Sequence, residues 1–273
     1  MKTDVPSEIV VKEAVAPHHF LLRLTCPWSP ESVQPGQFCH LWLPHTSDPL
    51  LRRPYSIYRI RDGSLDVLFQ VVGKGTEFLA QLDIGDAVRV LGPLGRGFDL
   101  PPAGRKALVV GGGVGMASLF LLVERLRATG HDARVLLGAR GSDYILCREE
   151  LPALGVPLDI ATDDGSEGFH GFVTDLLADM LNDTPDPSPR PQGASEPWVY
   201  ACGPTPMMEA LSKITLPRGI PTQVALENRM GCALGVCLGC VVPIATVHGV
   251  EYQRVCTEGP VFDARAVRWE YRI

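Results

Sequence analysis

The sequence predicts an antiparallel β barrel followed by a doubly wound parallel α/β domain and a small cysteine-rich module. Three observations carry this. The first hundred residues hold short apolar runs separated by turn residues, the pattern of a small all-β unit. Beyond Pro101 the apolar runs alternate with helical stretches, which implies a parallel sheet with crossover helices. Beyond Val224 the chain is short and rich in glycine and cysteine, so a bound metal would have to make up for a small core. The expected bounds are 1–100, 101–222 and 223–273.

Within the first unit, residues 20–24, 38–43 and 65–72 read as strands, with turns at Pro35-Gly36, Asp62-Gly63 and Gly85-Asp86. One helix is expected from Thr76, including Phe78, Leu79 and Leu82. In the second unit, residues 107–110 form a compact apolar strand that runs into Gly111-Gly112-Gly113-Val114-Gly115. A helix over 116–128 and a stop at Gly130 follow, with further strands at 133–137, 158–162 and 198–201. Residues 182–197, rich in Pro, Ser, Asp and Gly, read as a surface loop. There are no internal repeats.

Composition narrows the class. The 273 residues are 45% hydrophobic and 21% charged, ordinary values for a folded protein. A net charge of −6 argues against a nucleic-acid surface, which needs a basic face. No apolar run reaches the roughly 18–20 residues of a membrane span, and the first residues carry no signal-peptide pattern. A cytoplasmic protein is the expectation. Of eight cysteines, Cys26, Cys39, Cys147 and Cys202 are scattered and read mostly as small buried apolar residues.

The other four cysteines carry the strongest chemical signal. Cys232, Cys237 and Cys240 stand in a C-x4-C-x2-C string, and Cys256 follows after fifteen residues. This is the ligand spacing of plant-type [2Fe–2S] proteins. The interspersed glycines let a tight loop turn its amides toward sulfur. A four-cysteine zinc site is the alternative, although zinc sites usually pair C-x2-C knuckles; plain core cysteines are the blander one.

Four further strings suggest nucleotide binding. In Arg53-Pro54-Tyr55-Ser56, the guanidinium can grip a pyrophosphate, the aromatic can pack on a ring and the hydroxyl can bond a ring edge. Read blandly, it is a half-buried strand with a surface arginine. Gly73-Lys74-Gly75-Thr76 ends a strand and opens a helix, where amides face an anion, or where Thr76 simply caps the helix. Gly111, Gly113 and Gly115 sit at the strand-to-helix turn of a dinucleotide fold, although Met116 breaks the strict glycine fingerprint. Cys202-Gly203-Pro204 closes a later strand at the sheet edge where ligands bind, or makes an ordinary turn. No acidic ribose marker ends the second strand, and Arg140 leaves a 2′-phosphate possible.

In this order the strings resemble the ferredoxin–NADP reductase superfamily over essentially the whole chain. Within it they are most similar to the electron-transfer subunits of type B dihydroorotate dehydrogenases. Leu51-Arg52-Arg53-Pro54, Leu91-Gly92-Pro93-Leu94-Gly95, Gly171-Phe172-Val173-Thr174-Asp175, Glu227-Asn228-Arg229-Met230-Gly231-Cys232 and Val255-Cys256-Thr257-Glu258-Gly259-Pro260 carry that likeness. The resemblance implies an FAD barrel, an NAD domain and a cluster domain. It assigns FAD to Arg53, Pro54, Tyr55, Ser56, Phe69, Gln70, Val71, Gly75 and Thr76, and a [2Fe–2S] cluster to the four C-terminal cysteines. NAD, the expected substrate, falls to Gly111, Gly113, Gly115, Cys202, Gly203 and Pro204. It also implies an FMN-containing catalytic partner that oxidises dihydroorotate for pyrimidine biosynthesis, in a heterotetramer with two copies of each subunit. Electrons would run from FMN through the cluster and FAD to NAD+. No side-chain acid–base catalyst is expected, because the cofactors carry the chemistry. Two alternatives stand: a related reductase subunit serving a sulfide dehydrogenase or hydrogenase, and a zinc-stabilised, non-catalytic binding module. Ser118, where the superfamily often has proline, is a departure.

Overall fold

A computed structural model describes residues 2–43, 48, 50–182 and 197–271. The expected loop at 182–197 therefore lies, apart from its two ends, outside the described residues. The N-terminal unit contains β1 (Thr3–Ala16), β2 (His19–Thr25), β3 (Phe38–Trp42), β4 (Arg53–Ser56), β5 (Arg59–Arg61), β6 (Ser64–Gln70), α1 (Lys74–Gln81) and β7 (Ala87–Leu94). Its strands are antiparallel in the order β4-β3-β7-β1-β2-β6-β5. Strands β4 and β5 end this sheet on opposite sides, yet only Ile57 and Tyr58 join them. Two residues cannot cross a flat seven-stranded sheet, since neighbouring strands lie about 4.8 Å apart, so the sheet curls into a barrel. Ile9, Leu22, Leu41, Ile57, Val67 and Val90 fill its interior.

The second unit contains β8 (Ala107–Gly112), α2 (Met116–Ala128), β9 (Ala133–Ala139), α3 (Glu150–Ala153), β10 (Leu158–Thr162), β11 (Phe169–His170), α4 (Val173–Asn182), β12 (Trp198–Cys202), α5 (Thr205–Thr215) and β13 (Thr222–Ala225). The C-terminal segment adds the hairpin β14 (Val241–Thr246) and β15 (Gly249–Arg254), then β16 (Val261–Asp263). The sheet order is β11-β10-β9-β8-β12-β13-β16, parallel except for β16. The expected boundary at 222/223 falls inside β13. The last segment returns β16 to the same sheet, so the cysteine-rich module is interleaved with it.

Helix α2 joins the two units. Nine of its thirteen residues are buried: Leu121 packs in the barrel core and Phe120 in the core beneath the sheet. A helix apolar on all sides is one covered on all sides. Polar contacts fix the same seam. The Ser56 and Ser118 hydroxyls lie 2.6 Å apart. Tyr58 donates to Glu150, and Arg59 bonds Glu124 at 2.6 Å and Glu150 at 3.0 Å while covering the Phe120 ring. Among the described residues no helix is long and apolar enough to cross a membrane.

Candidate cofactor cavities and cysteine centre

Strand β8 sends its chain to β9 on one side, while β12 lies on its other side. The carboxyl ends of β8 and β12 thus flank the switch point where open α/β sheets bind ligands. Gly112, Gly113 and Gly203 sit there. A Cβ on Gly112 would meet Met207 and Pro204, and one on Gly115 would strike the Cys202 carbonyl. Only glycine lets the two turns approach this closely. A cavity of about 650 Å³ opens beside them, lined among others by His19, Gln70, Gly113, Gly115, Arg140, Tyr144, Asp163, Thr174, Gly203, Pro204 and Glu227.

A second cavity of about 310 Å³ lies between the barrel and the sheet. Pro54, Tyr55, Ser56, Phe69, Gln70 and Thr76 line it from the barrel; Val114, Ser118, Glu227 and Asn228 line it from the other side. Tyr55 is only 6% exposed, and its hydroxyl has no hydrogen-bond partner. With Ser56, Gln70 and Thr76 beside the Tyr55 and Phe69 rings, this wall offers polar groups around aromatic faces, which fits a polar, ring-bearing group such as a flavin nucleotide. Gln70, Val114 and Glu227 line both cavities, so their contents would abut.

Several expected residues stand behind the walls. Arg53 packs across Gly75, where an added Cβ would lie 3.0 Å from its side chain, and its guanidinium donates to the Leu51 carbonyl at 2.7 Å. That contact brings the Arg53 and Gly75 strings together, as the sequence implied. Val71 donates its amide to His18, outside the cavity lining. Gly111 is buried and lines neither cavity. Cys202 is fully buried, its thiol pushed up to about 12, mainly by desolvation; it supports the turn rather than facing the ligand. The Thr76 reading also needs correction: the helix begins at Lys74, with Gly73 as its cap residue. Thr76 works from one turn inside, its hydroxyl accepting the amides of Val72 and Gly73. Those two amides are occupied, which leaves the next first-turn amides to face an anion.

Sequence reasoning did not single out Glu227, Ser118 or Asp163 as cavity residues. Glu227 is enclosed by protein yet open to both cavities, and desolvation raises its carboxyl pKa. Its only sequence signal was its place just ahead of the cysteine string.

The cysteine loop is built from unusual backbone. Ala233 and Leu238 have φ of 55° and 57°, and Gly235 has 83°. Left-handed conformations at residues other than glycine carry strain, which persists where the surroundings impose it. The loop amides turn inward as a result. Leu234 and Cys237 donate to Cys232 Sγ, each at 3.4 Å, and these donors draw its thiol down to about 6. Cys232 therefore pairs with Cys237, while buried Cys256 pairs with Cys240. Among the described residues, no three His, Cys, Asp or Glu side chains are gathered to hold a metal ion. Two thiol pairs fit two irons better than one ion, because each iron of a four-cysteine [2Fe–2S] centre takes two thiolates. Leu234, Val236 and Leu238 all point outward, at 45%, 80% and 59% exposure. Cys26, Cys39, Cys147 and Cys202 are buried and unbridged, as expected.

Comparison with known proteins agrees with this arrangement. Residues 109–213 match the oxidoreductase NAD-binding domain, and residues 227–268 match the iron–sulfur cluster binding domain of dihydroorotate dehydrogenase B. The chain is 40% identical over 266 residues to the dihydroorotate dehydrogenase B (NAD(+)) electron transfer subunit of Desulforamulus reducens, covering 97% of this chain and 98% of that one. It is also 40% identical over 265 residues to the subunit of that name from Geobacillus thermodenitrificans, covering 95% and 96%. Among solved structures, an NADH-dependent reduced ferredoxin–NADP oxidoreductase studied for flavin-based electron bifurcation superimposes with a TM-score of 0.82 at 29% identity, covering 97% of this chain and 90% of that one. A ferredoxin reductase of carbazole 1,9a-dioxygenase shares the fold, with a TM-score of 0.67 at 23% identity over 81% and 67%. The iron–sulfur match sets aside the zinc-module reading. An NAD-binding sheet, a barrel facing it and a cysteine loop of cluster-binding type thus stand in one chain, which belongs to the electron-transfer subunits of dihydroorotate dehydrogenase B (NAD(+)) and is an oxidoreductase.

Proposed function

We propose that this chain passes electrons between an FMN-containing partner, which oxidises dihydroorotate to orotate, and NAD+. The reading places it in pyrimidine biosynthesis in the cytoplasm, in an assembly with two copies of each subunit. The barrel, roughly residues 1–100, would hold FAD; residues 101–222 would hold NAD, in preference to NADP; residues 223–273 would hold the [2Fe–2S] cluster. The observation that carries this reading is the shared wall, Gln70, Val114 and Glu227, between the two cavities. It allows a flavin ring and a nicotinamide ring to lie face to face.

When bound, FAD exchanges hydride with nicotinamide and single electrons with an iron–sulfur centre. The chain's own residues position and insulate. Pro54, Tyr55, Ser56, Phe69, Gln70 and Thr76 would hold FAD, with Arg53 and Gly75 beneath them setting the diphosphate end. Gly113, Gly115, Gly203 and Pro204 would admit the dinucleotide, with Gly111 and Cys202 shaping the turn. The hydroxyl pair Ser56–Ser118 and the carboxyl of Glu227 supply polar groups at the junction, where Glu227 can hold a proton at its carboxylate oxygen. Cys232, Cys237, Cys240 and Cys256 would ligate the cluster.

The partner would dock beside the cysteine loop. Leu234, Val236 and Leu238 stand exposed there, and Leu234 lines a shallow groove together with Trp42, Leu50 and Leu51. Contiguous exposed apolar residues mark interaction surfaces.

The test is co-purification with the FMN subunit and an assay for dihydroorotate-dependent NAD+ reduction. The expected result is activity from the pair and none from this chain alone, which should still oxidise NADH with artificial acceptors. A pair that oxidises NADH but cannot couple it to orotate chemistry would point to a different partner.

A further inference from the structure

His40 has no role in the reading above. It lies in the middle of β3, whose side chains alternate in direction. Cys39 and Leu41 enter the barrel core, so Phe38, His40 and Trp42 share the outer face. Phe38 on that face packs in one apolar cluster with Ala233, Cys240 and Cys256. Two residues on, His40 opposes Pro54 of β4 and Leu91 of β7, and it lines a groove with Gly231, Cys232 and Leu234.

The imidazole is fully buried, and neither ring nitrogen has a hydrogen-bond partner. Buried polar groups in folded proteins are almost always paired, and among the described residues only the Arg52 backbone comes near the ring, short of full hydrogen-bond geometry. The neighbouring guanidiniums cannot serve as acceptors, because arginine only donates. Asp4, the carboxylate of this groove, is already held by Arg52 and Arg89. A neutral imidazole has one ring N–H to give. Of the loop residues that line the groove, Gly231, Cys232 and Leu234, Cys232 alone carries a side-chain acceptor, its sulfur.

We propose that His40 donates its ring N–H to sulfur at the Cys232 end of the cluster and thereby raises the cluster's reduction potential. The inference rests on the assignment of the cluster to the four cysteines. Hydrogen bonds to cluster sulfurs stabilise the added negative charge of the reduced form, and they are one of the levers that set such potentials. His40 would also tie the barrel to the cysteine module at the atom where electrons enter or leave.

The experiment uses the full chain with its partner, purified anaerobically. Iron and labile sulfide are measured first; their absence would overturn the cluster assignment and this proposal with it. With the cluster present, the chain is labelled with 15N-histidine alone and the reduced centre is examined by pulsed electron paramagnetic resonance. A histidine nitrogen coupling is expected, and it should vanish in His40→Leu. The midpoint potential of His40→Leu should fall by on the order of a tenfold change in the reduced-to-oxidised ratio, about 59 mV for one electron. His40→Gln, which keeps an N–H donor, should recover part of the shift. A loaded wild-type cluster without histidine coupling overturns the proposal even if the leucine variant fails to fold. A leucine variant that keeps the wild-type potential overturns it as well.

Discussion

The seam between barrel and sheet and the seam between sheet and cysteine module are held by different chemistry. The first is knit by specific polar side chains: Ser56 with Ser118, Tyr58 with Glu150, and Arg59 with Glu124 and Glu150. The second rests on backbone and apolar packing. Strand β16 joins β13, Leu226 donates its amide to Pro260, and Val242, Val255 and Phe262 share an apolar cluster with Val199, Ala201 and Val224 of the sheet. Directional side-chain bonds fix a relative position to fractions of an ångström, which two abutting rings require. Apolar packing around a small core is less demanding, and a bound cluster can complete it. The first seam therefore serves precision, and the second serves exposure of a metal centre to a partner.

The largest expected effect comes from breaking the second seam's metal. Cys237 is exposed at the loop tip. Cys237→Ser should abolish dihydroorotate-dependent NAD+ reduction while sparing much of the NADH oxidation with artificial acceptors, because the two cavities lie outside the cysteine loop. Iron analysis and the two assays on one preparation check it. Coupled turnover surviving complete loss of iron would remove the cluster from the electron path. Next in size is the exposed face. The double variant Val236→Asp, Leu238→Asp should weaken partner association about 10- to 100-fold, as loss of central apolar contacts does, without loss of iron. Titration calorimetry against the FMN subunit measures it, and unchanged affinity would move the docking surface elsewhere.

How legible each region was in the sequence follows the same division. The four cysteines were readable because their ligand set is local: three stand within nine residues and the fourth follows directly after the next hairpin. The cavities were only half readable. Glycine turns and the Arg53 string announced themselves, but Glu227, Ser118 and Asp163 reach the walls from segments far apart in the chain, and no spacing rule brings them together. Cys202 belonged to a visible motif, yet it faces inward, because the carbonyl of that turn, not the thiol, meets Gly115. In the fold, β1 and β7 escaped notice. Strand β1 buries only Ser7 and Ile9 among its fourteen residues, so its extended form comes from pairing with β2 and β7 rather than from apolar alternation. Strand β7 carries Gly92-Pro93, which reads as a turn.

The first seam should respond to Arg59→Ala with lower stability rather than altered iron content. Truncation leaves Glu124 without its cation and Glu150 with the Tyr58 hydroxyl alone, and it strips the cation from the Phe120 face. Both carboxylates keep some contact with solvent, so the cost is about 1–2 kcal/mol, below the 3–5 kcal/mol of a fully buried pair. Thermal unfolding should show a decrease of a few degrees. A loss of iron without a change in melting would mean that the two seams are coupled.

The smallest effect, and the one that separates the seams by sign, is pH dependence. Glu227 at the cavity junction and Glu258 in the cysteine module are shifted in opposite directions. Desolvation raises Glu227, so the folded state binds its proton more tightly than the unfolded chain does. Its contribution to stability is present below the ordinary carboxylate range and is lost as pH rises through the raised value. The guanidinium of Arg254, which also donates to the Gly235 carbonyl of the cysteine loop, holds Glu258 down to about 2. That contribution is present above the ordinary glutamate value of 4.5 and is lost as pH falls toward about 2. Both groups keep contact with solvent, which screens the effects and keeps them small. Glu227→Gln should flatten the decline in stability on the rising side, and Glu258→Gln should flatten the acid decline. Chemical denaturation from pH 3 to 8 on both variants measures the two slopes. If Glu227→Gln instead changed the acid limb, the carboxyl at the junction would be paired with a cation or donor in the folded state rather than desolvated.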